Sequence, residues 1–560
     1  MPASIRRVVA LGLDAAQWSL VESLIDVGVL PRLAALRDRA AVARLRHADY
    51  RSGLVWEHFL RGRGVDGCGR ASAVTFDPDD YSVIKQGALP EPPFFAGIDG
   101  RTICFDVPYL SLAGVPSDTV AVTAWGAHDP GYPRASQPPG LLTQIDELFA
   151  PHPAFDNDYA IVWHRPEAMD ALVHALVSGA RSRAEISCWL LDRFPDWKLF
   201  VTVLSEPHSA AEQLWHGIAR DYPVAAAVDA GVAEARLRDV YQAVDASVGL
   251  LVDALPPDAT VVLFSMHGIG TNDVDLASMV LLPELLHRLH TGRPYLREAD
   301  TDTWAAAGFP LVVPPPDQTW DATLKHRLPP SPATAAPPGS ARLRRALRRL
   351  RRASSGAAPV HAGALGVPIA AETQADPATI GIPREPIEWQ IATRYQAWWP
   401  EMRAFALPTF YDGRVRINLE GRERGGVVPR AEYEHACQDV EALLGKCRDA
   451  RTGEPVVAEV VRLRADDPWA PGGPDADLQI IWSRPSDAFT HPDAGTIGPF
   501  AFRRTGGHTP DGFAFVLGPD IEPGDLGEHD ALSITATVAA LAGAGTDGLD
   551  APALPVTPAG

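Results

Sequence analysis

The sequence predicts an α/β fold, a three-layer α/β/α sandwich around a mostly parallel central sheet. Short apolar runs separated by helical stretches predict this fold, and polar residues stand directly after several of the runs. Strands buried on both faces read as continuous apolar runs, and their alternation with helices is typical of parallel sheets covered by helices. A chain of 560 residues, 46% of them hydrophobic, is long enough to bury such a core.

Five apolar runs are the candidate strands of this sheet. The first, Arg6–Asp14, ends in a glycine and an aspartate, as expected of a buried parallel strand whose carboxyl end carries a functional side chain. Between later runs, Ala233–Leu255 has apolar residues at intervals of three and four, which predicts a helix. Open α/β sheets bind ligands at the carboxyl ends of their strands, so we expect the chemistry at that edge. The other four candidate strands are Leu199–Leu204, Thr260–Ser265, Leu478–Trp482 and Gly512–Leu517.

Composition excludes several classes of protein. A formal net charge of -20 disfavours binding to a nucleic acid duplex, which depends on basic side chains at phosphates. The chain contains no apolar run of about eighteen residues that would predict a transmembrane segment, and its start does not resemble a secretory signal. We therefore expect a soluble, cytoplasmic protein. Five scattered cysteines without CxxC spacing predict buried free thiols: Cys68, Cys104, Cys188, Cys437 and Cys447.

One segment interrupts the alternation of strands and helices. Residues 314–367 are rich in Pro, Ala and Ser, and within them Arg342–Arg352 places seven arginines in eleven residues. Leucines at helical spacing in this stretch allow a basic amphipathic helix that contacts an acidic surface or a membrane surface. The alternative is a flexible insertion whose charges are solvated. Composition favours the flexible insertion.

Two residues in the first sixty are candidates for chemistry. Asp14 comes directly after the first predicted strand, where its carboxylate is a suitable ligand for a divalent metal. Ser52 lies in RSGLVWEHF, a turn-like stretch that enters a predicted helix. Near a helix N-terminus and beside a metal, a serine hydroxyl ionises more readily and attacks phosphorus. A serine in this position is otherwise a helix cap.

The stretch Ser205–His216 directly follows the predicted strand Leu199–Leu204. His208, Glu212 and His216 are spaced by four, so a helix would place all three side chains on one face. Imidazole and carboxylate groups at this spacing are ligands of zinc or manganese. A solvated polar face of a surface helix is the alternative interpretation.

Two further histidines stand next to predicted strands. His267 follows the strand Thr260–Ser265 and precedes a glycine that permits a turn. His508 lies in a glycine-containing loop just before the last predicted strand. Each position is weak evidence by itself, but distant segments of an open α/β sheet converge on one edge, so together they predict a common site.

The order and local setting of these segments resemble the alkaline phosphatase superfamily, in particular its type I phosphodiesterase/nucleotide pyrophosphatase family. Asp14 matches the metal-binding Asp of that family's "GLDG"-like motif, and Val27–Leu36 (VGVLPRLAAL) matches "G-x-LP-x-L-x-x-L". Ser52, with Trp56 four residues later, matches the nucleophile that becomes covalently phosphorylated. The resemblance therefore assigns Ser52 the catalytic role.

The resemblance continues through the rest of the chain, apart from the Pro- and Arg-rich segment. His267 in SMHG matches the His of "SDHG", and His508 in GGH matches the late "G-x-H" metal ligand. Glu206 and His208 fall in the "E-x-D-x-x-x-H-x-x-W" region, with Trp215 in register. Further similarities are Trp125–Pro130 (WGAHDP) and Arg416–Arg422 (RINLEGR).

The resemblance implies an alkaline phosphatase-like catalytic domain and a binuclear metal site. Residues 1–313 would form the N-terminal part of the domain, 314–367 an insertion, and 368–560 its C-terminal part with a small α+β subregion. Two divalent metals, zinc or manganese, are expected. One would be held by Asp14, Ser52 and His267, and the other by His208, Glu212 and His508.

This sequence departs from the family pattern at several ligand positions. The Asp expected before His267 is Met266, whose thioether is a poor ligand for a hard dication. The Asp and His of the other site become His208 and Glu212, which leaves one carboxylate and two imidazoles there. The "TGxxPxxHG" stretch after the nucleophile is reduced to Arg61–Gly67 (RGRGVDG). Asp129 and Glu57 are the candidates to replace the missing carboxylate.

The expected function is metal-dependent hydrolysis of phosphoric esters, of the phosphodiesterase or nucleotide pyrophosphatase type, through a phosphoseryl intermediate. Arg51 and Arg504 are candidates to hold a further oxygen of the substrate. Two alternatives stay open: hydrolysis of a related sulfuric or phosphonic ester, and a catalytically weakened or inactive binding protein. Because no Cys stands at the nucleophile position, a formylglycine sulfatase is disfavoured.

Overall fold

The largest sheet has nine strands within the residues that the computed structural model describes, which are 7–155, 163–315, 318–329, 361–362, 368–464, 467–470 and 472–556. The spatial order of these strands is β9-β2-β8-β7-β1-β6-β3-β4-β5. In chain order they are Val8–Leu13 (β1), Ala41–Arg46 (β2), Arg101–Phe105 (β3), Val120–Thr123 (β4), Ala135–Gln137 (β5), Trp197–Leu204 (β6), Thr260–Ser265 (β7), Asp511–Leu517 (β8) and Gly524–Asp530 (β9).

This sheet is mostly parallel, as the sequence predicts. Strands β7, β1, β6, β3 and β4 run parallel to one another. Strand β8 runs antiparallel to both β7 and β2, and β5 runs antiparallel to β4. The last predicted strand therefore lies in this sheet but points the opposite way, so its first residues meet the carboxyl ends of its neighbours.

Helices cover both faces of the sheet. The longest helix begins at Pro166. It packs against the helix that begins at Ala230, and both cover the same face of the sheet. The helices are Trp18–Asp26 (α1), Pro31–Arg37 (α2), Val55–Arg61 (α3), Val65–Cys68 (α4), Leu141–Phe149 (α5), Pro166–Arg193 (α6), Glu206–Leu214 (α7), Ala230–Asp253 (α8), Leu282–Thr291 (α9), Thr301–Ala306 (α10), Trp320–Lys325 (α11), Pro377–Ile380 (α12), Tyr433–Leu444 (α13) and Ser533–Leu541 (α14).

The alternation of side chains along β1 separates two apolar cores. Val9 and Leu11 pack with residues of α1, α2, α6 and α8 on one face. Val8 and Ala10 pack with residues of α3 and α14 on the other face. Successive side chains of a strand point to opposite faces, so a continuous apolar run is what a strand covered on both sides requires. The three-layer architecture predicted from the sequence is confirmed.

A third apolar core lies beside the large sheet and contains a four-stranded antiparallel sheet. The predicted strand Leu478–Trp482 belongs here and not to the parallel sheet, which corrects its assignment. Its residues alternate between buried and half-buried positions, as is usual for an antiparallel strand with one solvated face. The other strands of this sheet are Ala404–Ala406, Gly413–Ile417 and Val457–Arg462.

Four smaller sheets of two or three strands each complete the described part of the chain. One of them, Gly268–Thr271 paired with Gly506–Thr509, carries His508 beside the carboxyl edge of the large sheet. The remaining short strands are Val74–Phe76, Val83–Gln86 and Arg384–Pro386; Arg448–Asp449, Phe489–His491 and Gly495–Ile497; and His361–Ala362 with Pro368–Ile369.

The arginine-rich segment Arg342–Arg352 lies outside the described residues, so the predictions for it stand as they were made. The division of the chain at 313/314 and 367/368 also stays a prediction. All five cysteines are free, and three of them are buried: Cys104, Cys437 and Cys447. Among the described residues, no helix has the length and apolar character needed to cross a membrane.

Candidate metal centre at the carboxyl edge of the sheet

Four predicted site residues meet at the carboxyl edge of the large sheet. Asp14 directly follows β1, and His208 lies in the first turn of α7, which begins just after β6. His267 follows β7 by two residues, and His508 stands just before β8, whose antiparallel course starts at this edge. All four residues are reached from strand ends, so they converge although up to about 500 residues separate them along the chain.

Three histidines form the centre of the site. One nitrogen each of His208, His267 and His508 lies within 4.8 Å of the others. Nε2 of His208 is 3.0 Å from Nε2 of His508, and the His267 and His508 rings are 4.4 Å apart between centroids. Three imidazoles at this spacing are a donor set that suits zinc with an open fourth position.

Three ring nitrogens in this group have no hydrogen-bond partner among the described residues, which leaves them available to a cation. Among the described residues, neither ring nitrogen of His267 has a hydrogen-bond partner, and Nδ1 of His508 has none. Burial lowers the pKa of His267 to about 3 and lowers the pKa of His508 as well. Both rings are therefore neutral at pH 7, and each offers a lone pair to a cation.

Asp14 orients His208. Its carboxylate accepts a hydrogen bond from Nε1 of Trp56 at 2.8 Å and faces Nδ1 of His208 at 3.0 Å. Burial lowers the pKa of His208, but the charge and hydrogen bond of Asp14 outweigh burial and raise it to about 10. A carboxylate on one ring nitrogen fixes the imidazole and directs the other nitrogen to the metal position.

Gly12 makes room for the Trp56 side chain beside β1. A Cβ atom at Gly12 would lie 2.5 Å from Cη2 of Trp56 and 3.2 Å from Cγ2 of Val203, which is closer than carbon atoms approach. The glycine of the "GLD" sequence therefore lets the indole lie against the strand and reach Asp14. The match of this segment to the family motif thus has a steric reason in this chain.

A second group of possible ligands shares His208 with the first. His128, His208 and Glu212 offer atoms within 4.8 Å of one another, and the His128 and His208 rings are 3.8 Å apart. Nε2 of His128 is 3.9 Å from Oε2 of Glu212. His128 was not predicted as a site residue. It lies after β4 in the WGAHDP stretch, and that position at a strand end was the signal that could have identified it.

This grouping differs from the one expected from the sequence. The expected sets joined His267 to Asp14 and Ser52, and His508 to His208 and Glu212. In the structure His208 stands between both histidine groups, because Asp14 turns its Nε2 towards His508. Asp14 itself is not among the groups of atoms close enough to hold a common ion.

His216 does not share the face of His208 and Glu212, which corrects the prediction of three aligned side chains. Helix α7 ends at Leu214, and a short 3₁₀ turn follows over Trp215–Gly217. The tighter turn directs His216 away, towards the hydroxyl of Thr505 at 3.3 Å. Two side chains of the predicted three remain at the edge of the sheet.

Ser52 ends a 3₁₀ turn, Tyr50–Ser52, just before α3 begins. Its Oγ accepts a hydrogen bond from the Leu54 N–H at 3.1 Å, and its side chain is buried. The turn packs against the strand that carries His508. Tyr411 lies against Gly53 and stacks on His508 with 3.9 Å between ring centroids. The structure gives no hydrogen bond between Ser52 and the histidines of the described centre.

None of the expected replacements for the missing carboxylate lies in the ligand groups. Met266 is fully buried in the apolar core on the α3 and α14 face of the sheet. Glu57 forms a buried ion pair with Arg70 at 2.6 Å, and Asp129 pairs with Lys85. Neither of these two side chains therefore supplies the carboxylate that the resemblance leads us to expect at position 266.

The two arginines expected at the mouth of the site have protein partners. Nη1 of Arg51 donates to the backbone carbonyl of Tyr411 at 3.0 Å. Arg504 forms an ion pair with Glu212 and a bidentate pair with Asp275, at 3.0 and 2.9 Å. Arg504 is fixed in position and almost fully buried.

A buried charge network behind the centre holds the loop that carries His128. Arg183 donates to Asp106 at 2.7 Å and to Glu206 at 3.0 Å. Asp106 also accepts from the N–H groups of Trp125 and Gly126, at 2.7 and 2.8 Å. Sequence analysis singled out neither Arg183 nor Asp106, because their pairing depends on distant segments.

Backbone strain is concentrated along the same edge. Ala15, Asp106, Ala124 and Asp129 follow strands of the large sheet and have φ values between 52° and 58°. Residues other than glycine rarely adopt this left-handed region, and such strain gathers at functional sites. The strand ends are thus bent away from ordinary geometry where the candidate ligands emerge.

A cleft of about 500 Å³ opens beside the centre. Its walls include His128 of the second ligand group, Arg504, which pairs with Glu212, and Tyr411, which stacks on His508. Further aromatic and charged side chains line it: Trp320, Trp389, Phe410, Lys85, Asp129, Glu385 and Arg503. Neither Ser52 nor the three histidines of the centre are among the described residues that line the cleft, so the cleft lies next to the centre, on the side of His128 and Tyr411, and is large enough for a small-molecule ligand.

Residues 118–316 match the family model described as type I phosphodiesterase / nucleotide pyrophosphatase, which confirms the resemblance predicted from the sequence. Among curated proteins, none matches the chain significantly. Three similar solved structures are the phosphonoacetate hydrolase of Sinorhizobium meliloti 1021 (11% identity, 96% of each chain covered, TM-score 0.43), the human ectonucleotide pyrophosphatase / phosphodiesterase 5 (8%, 96% of each chain, 0.46) and the alkaline phosphatase PafA (10%, 98% of each chain, 0.46).

Proposed function

We propose that this chain, which matches the type I phosphodiesterase / nucleotide pyrophosphatase family over residues 118–316, is a metal-dependent hydrolase of phosphoric esters. The observation that supports this most directly is the convergence of His208, His267 and His508 beside the cleft. Their nitrogens fit a dication such as zinc. When bound there, the dication supplies Lewis-acid stabilisation of the charge on phosphoryl oxygens.

Ser52 is the proposed nucleophile. Its Oγ forms the new bond to phosphorus as its proton passes to solvent, and the ester oxygen leaves with the electron pair of the broken P–O bond and takes up a proton from solvent. Water then attacks phosphorus and breaks its bond to the serine oxygen, which recovers a proton. The Leu54 N–H, 3.1 Å from Oγ, stabilises the negative charge that develops as the hydroxyl loses its proton. In the turn before α3 the oxygen of Ser52 therefore accepts a hydrogen bond, and its own hydroxyl proton can be lost during the reaction.

The cleft is the proposed position of the leaving group. Aromatic side chains of Trp389, Phe410 and Tyr411 exclude water from the leaving group, and charged side chains of both signs stand among the walls, with Lys85 paired to Asp129. A concave, mostly apolar site with a few charged groups is typical of small-molecule binding. The substrate class that fits is a phosphoric ester with an apolar or aromatic leaving group.

Replacement of Ser52 by alanine tests the proposal. Zinc-loaded wild-type protein and Ser52→Ala are assayed with aryl phosphate monoester, diester, phosphonate and sulfate substrates. We expect turnover of at least one phosphoric ester by the wild type, and its loss in Ser52→Ala with an unchanged zinc content. Ser72→Ala is the matched control, because Ser72 Oγ also accepts from an N–H two residues later, at 3.1 Å. Full activity of Ser52→Ala would remove Ser52 as the nucleophile.

A binding protein without turnover is the second candidate. Both carboxylate oxygens of Asp14 already have partners, Trp56 and His208, and Met266 contributes no ligand. Each feature weakens metal binding relative to a centre with two free carboxylates. Under this hypothesis the wild-type protein binds the same esters, without hydrolysis, and Ser52→Ala changes neither property. The substrate panel also decides between phosphoric, sulfuric and phosphonic esters.

A further inference from the structure

The two candidate ligand groups share one imidazole, and only one nitrogen of that ring is available. Nδ1 of His208 is occupied by Asp14 at 3.0 Å, which leaves Nε2. Nε2 is 3.0 Å from Nε2 of His508 and 3.5 Å from Oε1 of Glu212. A ring nitrogen has a single lone pair and binds one cation. A dication in the three-histidine group therefore leaves only His128 and Glu212 for a second one.

Glu212 is also not a free carboxylate. Its Oε1 forms an ion pair with Arg504. Arg504 is 5% exposed, and Asp275 holds it by two further hydrogen bonds, at 3.0 and 2.9 Å. A guanidinium keeps its charge at all pH values relevant here. Because Oε1 of Glu212 is committed to this guanidinium, the second group offers a dication only His128 and the other oxygen of Glu212, and these do not fit one.

We propose that the centre holds a single dication, in the three-histidine group, and that the guanidinium of Arg504 supplies the second positive charge beside it. This inference rests on the proposed function, since the charge has a role only if a phosphoryl oxygen binds next to it. It replaces the two metal ions expected from the family resemblance. The charge of the site is then partly carried by the protein and partly by the bound ion.

Arg504 has the position and the donors that this role needs. Its side chain lines the cleft, beside His128. Of the five N–H donors of a guanidinium, two bind Asp275 and one binds Glu212, which leaves two for other partners. Two N–H groups of a fixed, planar fork bind two oxygens of a phosphoryl group in one geometry. Glu212 and Asp275 are then positioning residues that hold the fork.

The number of bound metal ions is the first test. Metal-free wild-type protein is titrated with zinc by calorimetry, and zinc is counted by elemental analysis after dialysis. We expect one tightly bound zinc per chain in the wild type and none in His267→Ala. Any zinc that still binds to His267→Ala is surface binding and is subtracted. Two tightly bound zinc ions per chain would overturn this inference and leave the proposed function intact. No tightly bound zinc would contradict the proposed function and, with it, this inference.

The affinity of the zinc-loaded protein for inorganic phosphate tests the role of Arg504. We expect Arg504→Met to bind phosphate about 10- to 100-fold more weakly than the wild type, because two charge-assisted hydrogen bonds are lost. Arg504→Lys keeps the charge but not the fork, so its affinity should lie between the two. Unchanged affinity in Arg504→Met with zinc still bound would overturn the role of Arg504.

Arg288→Met is the matched control for this experiment. Arg288 is likewise buried in an ion pair, with Glu284 at 2.8 Å, but it lies in α9, away from the cleft. Its replacement should lower stability without changing the affinity for phosphate or the zinc count. Equal weakening of phosphate binding in Arg288→Met and Arg504→Met would show a general loss of structure and overturn the inference. If Arg504→Met does not fold, the zinc count of the wild-type chain still decides.

Discussion

Replacement of Arg183 by methionine should destabilise the fold strongly, because it leaves two buried carboxylates without their cation. Arg183 is 1% exposed, and both its partners, Asp106 and Glu206, are fully buried. Methionine fills much of the same space, so the main loss is electrostatic. His152 is the other side chain in contact with Glu206, at 3.1 Å, and it reaches only one of the two carboxylates.

The size of the effect follows from the contacts. Arg183 makes two charge-assisted hydrogen bonds, at 2.7 and 3.0 Å. Removal of one partner from a buried ion pair costs about 3 to 5 kcal/mol, and two lost hydrogen bonds to charged groups give a similar figure of about 3 to 6 kcal/mol. We therefore expect the free energy of unfolding to fall by about 4 kcal/mol.

Urea unfolding, followed by tryptophan fluorescence, measures this difference. The control is Arg181→Met on the same helix, α6, where the side chain is 80% exposed and pairs with Glu185 at 2.9 Å. An exposed pair contributes about 0.5 kcal/mol or less, so the control should unfold close to the wild type. A difference below about 1 kcal/mol between Arg183→Met and Arg181→Met would refute the electrostatic argument.

The deficit of Arg183→Met should also depend on pH. In the wild type, burial raises the pKa of Glu206, but the charge of Arg183 outweighs burial and the net pKa is lowered. Without Arg183, burial dominates and the folded-state pKa of Glu206 rises above its unfolded value. The variant then loses stability as pH rises above the unfolded pKa and recovers it as Glu206 takes up a proton in acid. A deficit that does not change between pH 7 and pH 5 would contradict this account.

Three further outcomes are expected. Gly12→Ala should lower the free energy of unfolding by about 1 to 3 kcal/mol, because the added Cβ would lie 2.5 Å from Trp56. Gly97→Ala is the control, since its Cβ would meet open space, and it should leave the free energy of unfolding unchanged. Equal midpoints of urea unfolding for the two variants would count against the steric argument. Trp56→Phe should cost the metal-free protein about 2 kcal/mol by removing the 2.8 Å donor to Asp14, and an unchanged thermal midpoint would disprove that donor's contribution. Zinc binding at pH 7.5 should release about one proton, because the pKa of His208 is raised to about 10 and its Nε2 must lose a proton to bind zinc. Calorimetry in buffers of different ionisation enthalpy measures the number of protons released. Zero release would exclude a protonated His208 in the metal-free protein.

Several parts of the fold were predictable because short stretches of sequence decide them. Thr260–Ser265 is a strand with the predicted bounds, and the predicted helix Ala233–Leu255 is observed as Ala230–Asp253. Apolar runs and periodicities of three and four are local signals, and the packed structure requires the same patterns. Leu478–Trp482 was recognised as a strand, but no local signal assigned it to the second, antiparallel sheet.

The candidate site was predictable only to the level of single positions. Asp14, His267 and His508 were located because each stands beside a predicted strand. Their grouping could not be predicted, since it depends on which nitrogen of each ring faces its neighbour. His128 was missed because β4, which precedes it, was not among the predicted strands, so its position at a strand end was not recognised.

The sequence by itself determined that a strand-end carboxylate, a serine before a helix and histidines beside two strands would lie at one edge of an α/β sheet. Only the tertiary structure decided their partners: Asp14 holds His208, and Arg504 pairs with Glu212 across 292 residues of chain. Strands and helices depend mainly on residues that are close in sequence. The partner of a buried charged side chain instead depends on which oppositely charged group the folded structure places next to it. The number of cations at the centre follows from those distant pairings.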